Sequence, residues 1–299
     1  MKFPGTVTIK EVGPRDGLQN EKAFIDTEDK IKWINQLSHS GLKYIEITSF
    51  VNPKWIPALA DAFEVANGIE RVAGVTYTAL VPNRKGLERA LEANIDEAAV
   101  FMSASETHNR KNINKSIDET YPVLREVVED ALEAGKSVRG YVSTVFGCPY
   151  EGAVEVEAVV RVAEKLFEMG IGELSIGDTI GLANPKQVQN VLHVLLKRFP
   201  ADRLAMHFHD TRGTAMANVL ASLDVGIATF DASLGGLGGC PYAPGASGNL
   251  ATDDLLYMLE GMGIQTGVDR EKLFSAARFI EEKLGRPLPS HNLQVARGC

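Results

Sequence analysis

Two histidines, His207 and His209, stand two residues apart in the segment MHFHD. In an extended strand that spacing sends both imidazoles to the same side, and two imidazoles converging on one point form a reasonable metal pair. One core histidine satisfied by a neighbour would be the plainer reading; a pair on one face fits it less well. Near the N-terminus, EVGPRDGLQNE sets Arg15 beside Asp16. Pro14 and Gly17 make a solvated turn an adequate account of those two charges taken alone. Glu46 lies inside the apolar run YIEIT, where a carboxylate is costly unless paired. Arg15 is its candidate partner. A purely structural ion pair and one that holds the guanidinium for chemistry are both open.

Residues 233–249, SLGGLGGCPYAPGASGN, carry six of the 28 glycines, with Pro241 and Pro244 among them. Such a loop serves as a hinge, a phosphate cradle or a lid, but it lacks the GK[ST] ending of a nucleotide-triphosphate loop. Buried cysteines are usually inert small hydrophobes; Cys240, set between glycine and proline, has little core to join and reads as a reactive thiol. Asn249 closes the segment and offers an amide oxygen suited to a hard cation. The stretch THNRKNINKS, with His108, Arg110, Lys111 and Lys115, reads as a basic loop. It is either a solvated face or the best local patch for an anionic handle on a substrate.

These residues need a scaffold, and the order of the segments supplies one. Strand-like apolar runs fall at 7–12, 44–48, 76–81, 98–102, 138–145, 174–176, 204–208 and 229–232. Between them lie segments of helical period: Ile31, Ile34 and Leu37 form one stripe, and Val159, Val162, Ala163 and Leu166 another. Ser116 with Glu119 has capping-box spacing, and Asn184–Pro185 reads as N-cap and first helical residue. Gly41, Gly135, Gly170 and Gly226 sit where helices end. A faint echo of helix end followed by strand recurs in GLKYIEIT, NIDEAAVF, GIGELSIGDT and GIATFDAS. Eight strands alternating with helices over roughly 250 residues predict an α/β fold, a single (β/α)8 TIM barrel. A doubly wound sheet would need a glycine fingerprint after its first strand, and that turn reads VGPRDG instead. The expected organisation is one catalytic domain over 1–299, with the barrel at about 6–235, the cysteine loop at about 233–249 and C-terminal helices at about 250–285. In a barrel, reactive residues belong at the C-terminal ends of the strands.

Composition narrows the class. The chain has 299 residues, 44% of them hydrophobic and 23% charged, which excludes a disordered or fibrous protein. Its net charge of −8 argues against a general nucleic-acid or acidic-membrane binder, and no apolar run reaches the length of a membrane span. Three scattered cysteines, Cys148, Cys240 and Cys299, form no disulfide framework and point to a reducing compartment. Cytoplasm is the expected location, with the mitochondrial matrix as the alternative for a chain whose transit peptide has been removed.

Taken together, VGPRDGLQNE, ITSFVNPKWIP, GYVSTVFGCPYEG, ELSIGDTIG, HFHDTRGTAMAN and GLGGCPYAPGASGNLATDDLLYML resemble the 3-hydroxy-3-methylglutaryl-CoA lyase family. That family belongs to the barrel metallolyases with an Asp–Arg–Glu signature. The resemblance runs from about residue 6 to the C-terminus; GLGGCPYA is highly specific to the lyases, whereas the HxHD pair is shared with synthases and aldolases. It implies that Asp16, His207, His209 and Asn249 hold a divalent metal, Mg or Mn, and that Arg15 binds the substrate thioester. It implies Cys240 as the catalytic cysteine acting in proton transfer, Glu46 as the acidic member of the signature, and Asp178 as a strand-end carboxylate tied to the same site. His207 is a further candidate for relaying a proton. Arg212, where many relatives carry an aromatic residue, and Gly235, often alanine, depart from the pattern.

The implied reaction is cleavage of (S)-3-hydroxy-3-methylglutaryl-CoA to acetyl-CoA and acetoacetate, as in leucine breakdown and ketone-body formation. The implied partners are an acyl-CoA substrate and a second copy of the chain, a homodimer. Two alternatives stand beside it. One is a Claisen-type synthase of the same superfamily, which lacks the cysteine motif and usually carries extra C-terminal sequence. The other is a metal- or CoA-binding barrel without turnover, since fold does not guarantee chemistry.

Overall fold

The computed structural model describes residues 3–21, 23–239 and 248–298. Eight parallel strands close into a barrel in sequential order: β1 Thr8–Glu11, β2 Tyr44–Ser49, β3 Thr76–Leu80, β4 Glu97–Ser103, β5 Ser137–Ser143, β6 Glu173–Asp178, β7 Leu204–Phe208 and β8 Thr229–Ala232. Each coincides with one of the eight expected runs. Helices α1 Thr27–Ser38, α2 Ala62–Gly68 and α3 Arg84–Glu92 follow the first three strands. Two helices, α4 Glu106–Ile113 and α5 Ile117–Glu133, follow β4. The ring continues with α6 Val156–Met169, α7 Pro185–Leu195 and α8 Ala215–Asp224, and α9 Thr252–Gly261 follows β8. Beyond it come α10 Arg270–Leu284 and, past the expected limit of 285, α11 His291–Gly298. Among the described residues no helix is long and apolar enough to cross a membrane.

The helix signals act as read. Ser116 and Glu119 make a reciprocal capping box at the start of α5, and the Asn184 side chain accepts from the Gln187 N–H with Pro185 in the first turn of α7. The stripe Val159, Val162, Ala163 and Leu166 is buried against the barrel. In α1 the expected stripe shifts: Ile34 and Leu37 are buried, Ile31 is half-buried, and Trp33 is wholly enclosed. THNRKNINKS does not remain a loop. Ser105 caps the His108 N–H, so its first part is α4, closed by Asn114 in the left-handed region.

Two layers with different chemistry result. Between strands and helices lies one aliphatic core, whereas the inside of the barrel carries Lys10, Glu46, Arg139, Asp231 and His207, all buried. A barrel interior is ordinarily filled by branched aliphatics, so the charged filling here marks a built site. A register shift between Glu46 and Thr48 in the β2–β3 pairing falls beside one of those charges, the kind of irregularity that re-aims a strand-end side chain.

Glu11, the last residue of β1, ties together the end of the barrel at which the strands terminate. Its Oε1 accepts the N–H groups of Gly13 (2.8 Å) and Leu234 (2.9 Å), and Oε2 accepts the Thr252 hydroxyl (2.7 Å). It thereby joins the β1 turn, the segment after β8 and the start of α9. Burial raises its carboxyl from 4.5 to about 7, against those hydrogen bonds. The folded protein therefore keeps a proton that the unfolded chain has released, and stability from this group falls as pH rises from 4.5 to about 7. Glu11→Gln, which mimics the protonated acid, is expected to fold and to flatten that decline. Urea unfolding across the same pH window checks this; an unchanged slope in the variant would assign the pH dependence to other groups.

Candidate active site

The first strand ends in a tight five-residue π-helical turn, Gly13–Gly17, that carries Arg15 and Asp16. Gly17 lets this turn lie against the segment after β8: a Cβ there would meet Ser233 Oγ at 2.8 Å and Leu237 Cβ at 2.9 Å. The Arg15 guanidinium lies over the barrel mouth, nearly buried. Its Nε donates to Glu46 Oε2 at 2.8 Å, Nη2 lies 2.7 Å from the same oxygen, and Nη1 donates to Asp16 Oδ1. The partner expected for Glu46 is thus the one it has. Tyr141, on β5, donates its hydroxyl to that same Oε2 at 3.1 Å.

His207 and His209 both turn to the mouth, with ring centroids 5.3 Å apart. Asp16, His207 and His209 each bring one donor atom within 4.8 Å of the others, the three-residue group that could hold a metal among the described residues. The protonation of His209 and Asp16 suits the task, and that of His207 opposes it. Burial, then the neighbouring His207, lowers His209 to about 4, so its ring is neutral; its buried Nδ1 has no hydrogen-bond partner among the described residues. Burial alone would raise Asp16, but Arg15 and the two histidines hold it at about 2. Burial would lower His207, yet its bond to Asp231 and the nearby Asp16 raise it above the usual imidazole value. Two imidazoles and a carboxylate fit a divalent cation.

Asn249 is brought to the same place by pairing of its backbone with His209. Its Nδ2, however, donates to Asp16 Oδ2 (2.8 Å) and to the Leu237 carbonyl (3.0 Å). Ligation through its amide oxygen would require that side chain to turn. Asp178 is buried at the end of β6 and accepts from the Leu182 and Ala183 N–H groups at 2.8 and 3.2 Å, which holds the following loop in shape. Arg212 donates to the Ile180 and Gly181 carbonyls, bracing that loop from the other side. Gly235 has φ of +69° and packs under Leu288, a conformation that a side chain would strain. Cys240 and Cys299 lie outside the described residues. Cys148 is buried and accepts from the Ser105 hydroxyl at 3.0 Å.

A cavity of about 590 Å³ opens over this group. Arg15, Asp16, His207 and His209 line its floor, Tyr141 its wall, and His108 and Lys115 reach it from the basic stretch. Arg110 is instead engaged with Glu106. Sequence reasoning missed Tyr141, Arg139 and Asp231. The last two carried the same signal as Glu46, a charge within an apolar strand (VRGYVS, TFDAS).

Residues 6–280 match the HMGL-like family. The chain is 67% identical to hydroxymethylglutaryl-CoA lyase YngG of Bacillus subtilis over 295 residues, covering 99% of each protein. A crystal structure of Bacillus subtilis HMG-CoA lyase, also 67% identical, superposes with a TM-score of 0.98 over 99% of this chain and 100% of that one. An HMG-CoA lyase from Acinetobacter baumannii, in complex with coenzyme A and 3-methylmalate, is 42% identical with a TM-score of 0.93, covering 98% of this chain and 96% of its own.

The site generates a binding prediction independent of turnover. Purified protein stripped by a chelator should bind Mn²⁺ when titrated, and His207→Ala or His209→Ala should weaken that binding by more than the roughly 10–100-fold that loss of a group behind a ligand costs. Because His207 must give up its proton to ligate, affinity should fall as pH drops through its raised value. Electron paramagnetic resonance of free Mn²⁺ reads both effects. Equal affinity in wild type and both variants would dismiss the trio as a metal centre.

Proposed function

The chain belongs to the HMGL-like family, and from that premise we propose that it is a carbon–carbon lyase cleaving (S)-3-hydroxy-3-methylglutaryl-CoA to acetyl-CoA and acetoacetate. The observation that carries this reading is the convergence of Arg15 with Asp16, His207 and His209 at the floor of one cavity. Mg²⁺ or Mn²⁺ is the ion of this reading, resting on the family resemblance and on the oxygen ligands that Asp16 and a turned Asn249 would add to His207 and His209; intrinsic affinity for two imidazoles would rank zinc above either. When bound there, a divalent ion would lower the pKa of the substrate's tertiary hydroxyl, as metals do for water.

The remaining chemistry falls to side chains. Transfer of the hydroxyl proton to the Cys240 thiolate allows the C2–C3 bond to break, C3 becoming the ketone of acetoacetate and the bonding pair passing into the acetyl-CoA enolate. Arg15 places a fixed positive charge where that enolate oxygen develops, and a preorganised charge in a water-poor site is worth more than one in solvent. Glu46 keeps the guanidinium from swinging away, since two of its nitrogens share one carboxylate oxygen. Asp178 acts at a distance by shaping the loop after β6. Cys240 supplies the proton that converts the enolate to acetyl-CoA, because a thiol titrates nearer neutrality than a hydroxyl does. His108 and Lys115 offer polar contacts to the acyl-CoA. A homodimer and a cytoplasmic location belong to the same reading, the first resting on the family resemblance and the second on the cysteine usage.

Product analysis tests the proposal: protein, Mg²⁺ and the (S)-thioester should yield acetoacetate and acetyl-CoA in equal amounts. No acetoacetate, or condensation of acetyl-CoA with a 2-oxoacid, would overturn it. Arg15→Gln should lower kcat by on the order of 10²–10³, the scale of a lost oxyanion donor, and damage kcat more than Mn²⁺ affinity. Arg15→Lys should fall between, keeping the charge but losing the planar fork. Normal turnover in Arg15→Gln would return the residue to a structural role. Cys240→Ala removes little volume, so a packing role forecasts near-normal turnover, whereas proton transfer forecasts collapse of acetoacetate formation with metal binding retained. Alkylation should inactivate wild type and the Cys299→Ala control alike.

A further inference from the structure

Arg139 on β5 is completely buried inside the barrel. Its Nη2 donates to Asp231 Oδ1 at 2.6 Å and Nη1 to Oδ2 at 3.3 Å, a two-pronged grip on one carboxylate. On its other side Nε donates to Glu173 at 2.6 Å, and Glu173 pairs in turn with Lys10 at 2.8 Å. The Ser175 hydroxyl donates to Asp231 Oδ2 at 2.7 Å. The third neighbour of Oδ2 is His207 Nδ1, at 3.2 Å. An ionised carboxylate only accepts, so the facing ring nitrogen carries the proton. In the neutral ring the lone pair then lies on Nε2, the nitrogen found 3.9 Å from Asp16 Oδ2 on the metal side.

We propose that Arg139 and Asp231 are positioning residues for the reaction: the guanidinium fixes the Asp231 carboxylate, and the carboxylate fixes His207 as the Nδ1–H tautomer with Nε2 facing Asp16 and His209. This inference rests on the reading of His207 as a metal ligand. A structural ion pair that merely fills the barrel is the competing account. Stability alone does not require such a pair, since well-packed apolar residues of similar volume usually serve as well or better. An apolar filling cannot orient an imidazole or select its tautomer. A carboxylate behind a ligating histidine does both, and raises the basicity of the ligating nitrogen. The two strands that supply the device, β5 and β8, are not neighbours in the barrel. The pair therefore crosses the interior, and the far end of the network, Lys10, provides an internal control.

The experiment compares Mn²⁺ affinity in wild type, Asp231→Asn, Lys10→Met and His207→Ala, alongside the ring ¹⁵N shifts of His207 in metal-free wild type at alkaline pH, where the ring is neutral. Asp231→Asn should bind Mn²⁺ about 10–100-fold more weakly, Lys10→Met should stay near wild type, and the wild-type shifts should report a protonated Nδ1. Wild-type affinity in Asp231→Asn with loss in His207→Ala would overturn the positioning role and leave the metal reading standing. An equal loss in Lys10→Met would reduce the effect to general packing and overturn it as well. Unchanged binding in His207→Ala would bring down the metal reading and this inference with it. Should Asp231→Asn fail to fold, the wild-type shifts decide alone: a protonated Nε2 with bare Nδ1 overturns the proposal.

Discussion

Two ions that neither water nor a lipid-like core would hold together, Arg15 and Glu46, meet at the mouth of the barrel at 2.7–2.8 Å. Each would be intolerable in that place alone; removing one partner of such a buried pair costs about 3–5 kcal/mol. The pairing fixes the turn that carries Arg15, and the adjacent residue, Asp16, is delivered to the histidines by the same turn. Tyr141 donates to the shared oxygen of Glu46 and so joins β5 to the arrangement. Three strands far apart in sequence are thereby committed to one geometry by the cost of leaving a charge unpaired.

The apolar mass of the protein lies elsewhere. Helices such as α6 bury their valine and leucine stripe on the outside of the barrel, and that layer supplies the bulk of the hydrophobic stabilisation. The inside is thus free to hold ions whose net contribution to stability is small or unfavourable. Such a division explains how a strand end can present a carboxylate, a guanidinium and two imidazoles without the fold failing. Glu11 marks the boundary between the layers: it is buried with three hydrogen-bond donors and, among the described residues, no cationic partner, so it belongs to the architecture that joins the site loops.

The strands were legible because alternation and apolar runs are local properties, and the helix ends because Ser116, Asn184 and the terminal glycines act within a few residues. The Arg15–Glu46 pair was legible too, since Arg15 stood at an expected strand end and Glu46 inside the next expected strand, with opposite charge. Arg139 and Asp231 carried the same mark but were passed over. Their partnership spans 92 positions and exists only once the barrel has closed, so no local pattern names it. Helix α4 was hidden for the opposite reason: ETHNRKNI has no apolar stripe, and its helical state depends on the Ser105 cap. Asn249 pairs with His209 through its backbone, yet which end of its amide faces Asp16 follows from the Leu237 carbonyl, a contact with no sequence signature.

One ring keeps the two buried arginines to separate tasks. Tyr141 lies with Arg15 5.5 Å from its centroid and Arg139 4.7 Å from it, and its edge meets His207 at 6.3 Å. Two guanidiniums in one barrel would repel, and each could in principle compete for the carboxylate of the other. The tyrosine face is attractive to both cations, and its hydroxyl favours Glu46 specifically. Glu46 is therefore left to Arg15 at the mouth, while Arg139 turns to Asp231 and Glu173 below. A phenylalanine would preserve the partition but lose the bond to Glu46; an aliphatic residue would lose both. The aromatic ring at this position thus separates the cation facing the cavity from the cation that acts through Asp231.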